Sequence, residues 1–212
     1  MRTNQIGHVN VLWHSWHVPR FSFILWLASR GRLRTMDRIH HSSGAQQKCV
    51  LCDVHEESHN HLFFGCKLSA QIWLEVSARA QISWRQNSWP QAWSEFVESS
   101  RGQTKAKIKM RGLVLSATIY HIWRERNWRL HNQRFSCTKK IKEDIVNAIR
   151  ERLRNLEERD GLGEDELRRW ESFGWTGLMV GLAEPFSGPW ASGAFFGASE
   201  LLGLQFGLAG PL

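Results

Sequence analysis

The sequence predicts a mainly α-helical fold, and three stretches carry that expectation. A dense apolar run opens at Pro19, and the stretch from Thr104 to His131 contains no proline. Further on, Ile141, Ile145, Ile149, Leu153 and Leu156 recur nearly every fourth residue, which is one face of a helix.

Taken in order, Pro19 suits the first turn of a helix running to Arg30, apolar on most sides through Phe21, Phe23, Ile24, Leu25, Trp26 and Leu27. About a dozen residues are too few to cross a bilayer, so this reads as a buried helix. Thr35 is placed to cap a short helix through Asp37, Ile39 and His40. Leu68 to Ala80 forms the next helix, with Ile72, Trp73 and Val76 at helical spacing, and Gln81 to Pro90 reads as a polar loop. Pro90 starts another short helix with Trp93, Phe96 and Val97 on one side. In the long helix, Leu113, Ala117, Tyr120 and Trp123 share a stripe, and Gly112 weakens it by up to about 1 kcal/mol. Thr138 caps the last helix, whose apolar stripe needs a partner surface. From residue 171 to 212 the chain turns glycine-rich and apolar, and a weakly ordered tail is expected there.

Charge is unevenly spread. Residues 101–159 hold 16 Lys and Arg against 6 acids, whereas residues 160–212 hold 2 against 7. A phosphate-rich partner, RNA or DNA, would therefore meet the middle of the chain. Lys105, Lys107 and Lys109 alternate there, and Arg124, Arg126 and Arg129 follow with Trp123 and Trp128 interleaved. Cations of this kind neutralise phosphates while indoles stack on bases. The bland alternative is a solvated helix surface whose tryptophans pack inward.

Three of the four cysteines fall within the segment 42–66, beside several histidines. The pattern Cys49-x2-Cys52-x8-His61-x4-Cys66 lets three thiolates and one imidazole surround a single ion, and zinc suits that donor set. Four protein ligands leave no open position, so one structural Zn2+ is expected rather than a catalytic one. His59 is the rival ligand; His61 is preferred because Leu62-Phe63-Phe64 behind it can anchor the loop in a core. Cys137, far away in sequence, reads as a free thiol. Clustered thiols in metal-ligand spacing indicate a reducing compartment. The polar stretch Met1–Asn10 lacks the apolar core of a signal peptide, so an intracellular protein, nuclear or cytoplasmic and not membrane-bound, is expected.

Two linked groups of residues carry a family resemblance. One is Pro19-Arg20-Phe21-Ser22-Phe23-Ile24-Leu25-Trp26-Leu27-Ala28 with Gly31-Arg32-Leu33-Arg34-Thr35-Met36-Asp37-Arg38-Ile39. The other is Cys49-x-x-Cys52, then Glu57-Ser58-His59-Asn60-His61-Leu62-Phe63-Phe64-Gly65-Cys66 and Ile72-Trp73. Together they resemble the zinc-binding domain that follows the polymerase in plant LINE-type (non-LTR) retrotransposon reverse transcriptases. The resemblance covers roughly residues 10–75. It implies a zinc-binding domain over 10–80, followed by a basic helical region over 90–160. The same four residues, Cys49, Cys52, His61 and Cys66, are the ligands it implies. Arg34 and Lys67 stand where that family usually has proline, which touches turns rather than metal chemistry.

No aromatic-x-Asp-Asp segment occurs, and no glycine-rich phosphate loop or Gly-x-Ser-x-Gly elbow frames a reaction. Asp37, Asp53, Glu56 and Glu57 read as solvated cap and loop residues. The chain is therefore expected to be a non-catalytic accessory that binds nucleic acid, with a separate reverse transcriptase as a further candidate partner. Two alternatives stand: a protein-interaction module docking through Ile141–Leu156, and a decayed retroelement fragment.

Overall fold

The computed structural model describes residues 12–39, 47–80 and 88–160, the side chains of 157–160 excepted. The expected tail at 171–212 and most of the expected loop at 81–90 lie outside these residues. Among the described residues the chain is helical, with helices α1 (Pro19–Ser29), α2 (Met36–Ile39), α3 (Lys67–Ala80), α4 (Trp89–Ser100), α5 (Lys105–Asn132) and α6 (Thr138–Asp160). A π-helical turn, His61–Gly65, precedes α3. The sole extended pairing among them is an isolated antiparallel bridge between Lys48 and Glu56.

Local chemistry accounts for the helix ends. Thr104 accepts the Lys107 N–H on its side-chain oxygen and so caps α5, as its position suggests. α1 ends in a Schellman turn: Gly31, at φ +59°, donates to Ala28 O, and Arg32 donates to Leu27 O. Two expected caps differ. The Thr35 hydroxyl is buried without a partner, and the Met36 N–H goes instead to the Glu57 carboxylate at 3.0 Å. A full carboxylate is the stronger acceptor, and the tertiary fold delivers it. At α6, Cys137 supplies the carbonyl for the Ile141 N–H, so Thr138 is already inside the helix.

α5 is the central element and packs against α1, α3 and α6; α3 also touches α6, and α1 touches α4. Leu113, Val114, Leu115, Ala117, Ile119 and Ile122 of α5 are fully buried. They meet Phe21, Leu25 and Ala28 of α1 and Ile72, Trp73 and Val76 of α3 in one apolar cluster. The cluster extends from Leu12 to Leu156, so the cysteine–histidine part of the chain and its basic part share a core. The stripe Ile141, Ile145, Ile149, Leu153 and Leu156 lies wholly inside it. That corrects one expectation: this face finds its partner surface within the chain and is not free to dock elsewhere. No helix of the described residues is long and apolar enough to cross a membrane.

Candidate metal centre

The segment 47–57 folds back on itself through the Lys48–Glu56 bridge, with Glu57 N–H donating to Gln47 O and Cys49 N–H to His55 O. Within the loop that this bridge closes, Cys52 and Asp53 both donate to Cys49 O, and Asp53 takes a left-handed φ of 53°. This tight turn brings Cys49 and Cys52 to one side. The other two donors come from the π turn and its exit. Ser58 Oγ accepts the His61 N–H at 3.1 Å, fixing where the imidazole leaves the backbone. Cys66 donates its N–H back to His61 O at 2.6 Å, then accepts from Ala70 as the N-terminal edge of α3. The extra residue of the π turn sets His61 and Cys66 facing the same point. Gly65 gives the ring room: a Cβ there would lie 3.3 Å from His61 Nδ1. Behind the turn, Trp73 Nε1 donates to Phe63 O at 2.8 Å and Ser69 Oγ to Leu62 O at 2.6 Å, locking it to α3.

The structure thus brings together the four side chains singled out in the sequence. The donor atoms of Cys49, Cys52, His61 and Cys66 all lie within 4.8 Å of one another. His61 Nε2 is 3.3 Å from Cys52 Sγ. A tetrahedron with arms of about 2.1–2.3 Å has edges of about 3.4–3.8 Å, so the set fits zinc in donor chemistry and comes within about 1 Å of that scale. Cys49 and Cys66 are fully buried. The rival His59 is turned away: its ring packs edge-on against Phe63 and Trp89, at 5.3 and 5.2 Å between centroids. Burial, with Arg38 nearby, lowers the His59 pKa to about 4, so this ring is neutral core filling.

Electrostatics favour a cation at the cluster. The Cys66 thiol is lowered, first by the hydrogen bond from Cys49 and then by His61 and the N–H groups of Ser69 and Leu68. The latter two belong to the first turn of α3, whose positive end favours a thiolate. Cys49 moves up, through its hydrogen bond to Cys66 and its burial. His61 moves up as well, chiefly through its hydrogen bond to Cys66. Sulfurs crowded this closely share protons, and one divalent cation removes the conflict for all of them.

Two arginines on α5 support the loop. Arg126 binds the Glu57 carboxylate through Nη2 at 2.7 Å and through Nε at 3.1 Å. Arg129 donates to Leu51 O at 3.1 Å and Val50 O at 3.3 Å, the carbonyls between Cys49 and Cys52. It also reaches Ser136 O and the Glu125 carboxylate. Glu57 is therefore buried, not solvated, whereas Asp37, Asp53 and Glu56 are exposed. These supports leave no local mark in the sequence.

The residues expected to meet nucleic acid divide into two groups. Lys105 and Lys107 are exposed, and Lys109 is half-buried with its ammonium 5.5 Å from the Trp16 ring centroid. Arg124 pairs with Asp144 at 2.7 Å and lies over Trp128. Arg126 is sealed in its pair with Glu57, and burial puts it out of reach of any phosphate. Arg129 is spent on the metal loop. Trp128 holds Arg124 and Arg134 at 4.3 and 4.2 Å from its centroid. Trp16, Trp73, Trp89 and Trp93 are buried, so much of the indole content is core. Cys137 is exposed, a free thiol.

Comparison with curated proteins gives no match, and comparison with solved structures gives none either. Residues 1–73 match the family model described as zinc-binding in reverse transcriptase, so the stretch carrying all four donors is similar to a reverse-transcriptase-associated zinc-binding domain.

Proposed function

We propose that the chain is a non-catalytic, zinc-stabilised accessory module of a reverse transcriptase of the plant LINE-type (non-LTR) class, and that it binds RNA or DNA. The convergence of the donor atoms of Cys49, Cys52, His61 and Cys66 to within 4.8 Å of one another, inside the matched residues, carries this reading. Bound there, one Zn2+ per chain supplies coordinate bonds that tie the 47–57 ribbon to the start of α3. In isolated zinc modules such binding is worth on the order of 10–16 kcal/mol apparent. With four protein donors the ion has no free position to activate water, so its role is structural.

The nucleic-acid part rests on charge. Lys105 and Lys107 stand free at the start of α5 with Lys109 beside them, within the most basic third of the chain. Phosphate contacts of this kind weaken steeply with salt. A reducing, intracellular site of action suits the thiolate cluster.

Elemental analysis of native protein tests the first claim: one zinc per chain is expected, and none would reject it. A salt-titrated binding assay with RNA and DNA oligonucleotides tests the second. Affinity that is absent at low salt would leave a purely structural module.

A further inference from the structure

The arginines of this chain are not equally occupied. Those on α5 are engaged by Asp144, Glu57, Glu125 and backbone carbonyls. The turn from α1 into α2 is different. Arg30, Arg32, Arg34 and Arg38 are all exposed, and Asp37 is the sole acid between residues 20 and 38. Among the described residues, none of these four arginines is ion-paired with a carboxylate.

Beside them stands an open aromatic pair. Phe23 is 51% exposed although its neighbours on α1, Phe21 and Leu25, are fully buried. Its ring stacks on Trp26 with centroids 6.0 Å apart and planes 26° from parallel. Arg32 places its guanidinium carbon 5.7 Å from the Trp26 centroid. The Arg38 guanidinium rests on the bare backbone of Gly31, where a Cβ would lie 3.1 Å from Nη2. Phe23, Trp26, Arg32, Gly31 and Arg38 therefore form one continuous surface. The Met36 N–H bond to Glu57 pins that surface to the metal loop.

We propose that Phe23, Trp26, Arg32 and Arg38 form a binding site for single-stranded nucleic acid. This deepens the reading above and rests on it, adding a base-stacking contact on the α1–α2 turn to the charge at Lys105–Lys109. Phe23 offers a face for an unpaired base, and the free guanidinium groups neutralise flanking phosphates. Stacked duplex bases cannot reach such a ring, so single strands are preferred. An acidic protein surface would use the arginines and leave the aromatic pair idle.

The test measures fluorescence anisotropy of the full, zinc-loaded chain with a labelled oligouridylate across a salt series. Zinc content and the thermal melt of each variant verify folding. Phe23→Ala is expected to weaken binding about tenfold with an unchanged salt slope, and Phe23→Tyr to restore it. Arg32→Ala combined with Arg38→Ala should flatten the slope of log affinity against log salt by about 1.4. If the wild-type chain binds and these variants match it, the site is overturned while the nucleic-acid reading stands. If the wild-type chain does not bind at all, both fail. Equal losses on polyglutamate or on phosphatidylserine vesicles would also overturn the site, as general attraction to anions.

Discussion

Arg126 and Glu57, 69 positions apart, meet at 2.7 Å with side chains only 2% and 0% exposed. The pair joins the C-terminal part of α5 to the loop between Cys52 and His61, and Glu57 also holds the first N–H of α2. Desolvation offsets most of what such a pair contributes over an apolar one, but stranding one partner is costly.

Arg126→Met is therefore expected to lower stability by about 3–5 kcal/mol, because the Glu57 carboxylate stays buried without its cation. Glu57→Leu combined with Arg126→Met should recover a large part of that loss. Urea denaturation of zinc-loaded protein measures both. Additive losses in the double variant would show that the two residues act separately.

Arg129→Lys keeps the charge but loses the fork that spans Leu51 O, Val50 O and Ser136 O. Groups that orient metal ligands typically matter about 10–100-fold in affinity. Zinc should pass to a chromophoric chelator at about tenfold lower chelator concentration. Unchanged competition would confine Arg129 to general packing.

His121 is buried against Phe21 and Tyr120, and neither ring nitrogen has a hydrogen-bond partner. Burial first, and Arg124 second, lower its pKa to about 3. In the unfolded chain it titrates near 6.5, so between about pH 6.5 and 3 the unfolded state binds the extra proton. Stability is therefore full above about pH 6.5 and is lost as pH falls, by up to about 1.4 kcal/mol per pH unit. His121→Leu should flatten the acid limb by that amount relative to the wild type, since zinc loss affects both alike. Parallel limbs would count against a neutral buried ring.

Gln133 ends α5 at φ 49°, exposed to solvent. A side chain costs free energy in this left-handed conformation, and glycine does not pay it. Gln133→Gly is expected to raise stability by up to about 1 kcal/mol in the same urea assay. A loss would mean that the Gln133 side chain makes a compensating contact.

Features set by neighbouring residues were legible in advance. Pro19, the proline-free run after Thr104 and the isoleucine stripe of α6 placed helices whose ends agree closely with the structure. The expected ligand cluster also assembles, because its spacing and the Leu-Phe-Phe anchor are local. Relationships that span the chain were not legible. Nothing around Glu57 distinguishes it from exposed Glu56, and nothing around Arg126 marks it apart from Lys105. Their burial follows from how α5 meets the metal loop, and that packing is a property of the whole fold. The same limit applies to Thr35, whose apparent capping role passes to a carboxylate from elsewhere.

Cys66 has a double office: its sulfur joins the ligand cluster, and its carbonyl begins α3. An ion bound there would therefore set the rotational phase of that helix. One alanine inserted between Cys66 and Lys67 would turn every later side chain of α3 by about 100° about the axis. Ile72, Trp73 and Val76 would then swing away from the α5 side while the four ligands kept their places. In this molecule, coordination and helical registry are one constraint, and drift in the spacing after the last cysteine is paid in the interior rather than at the metal.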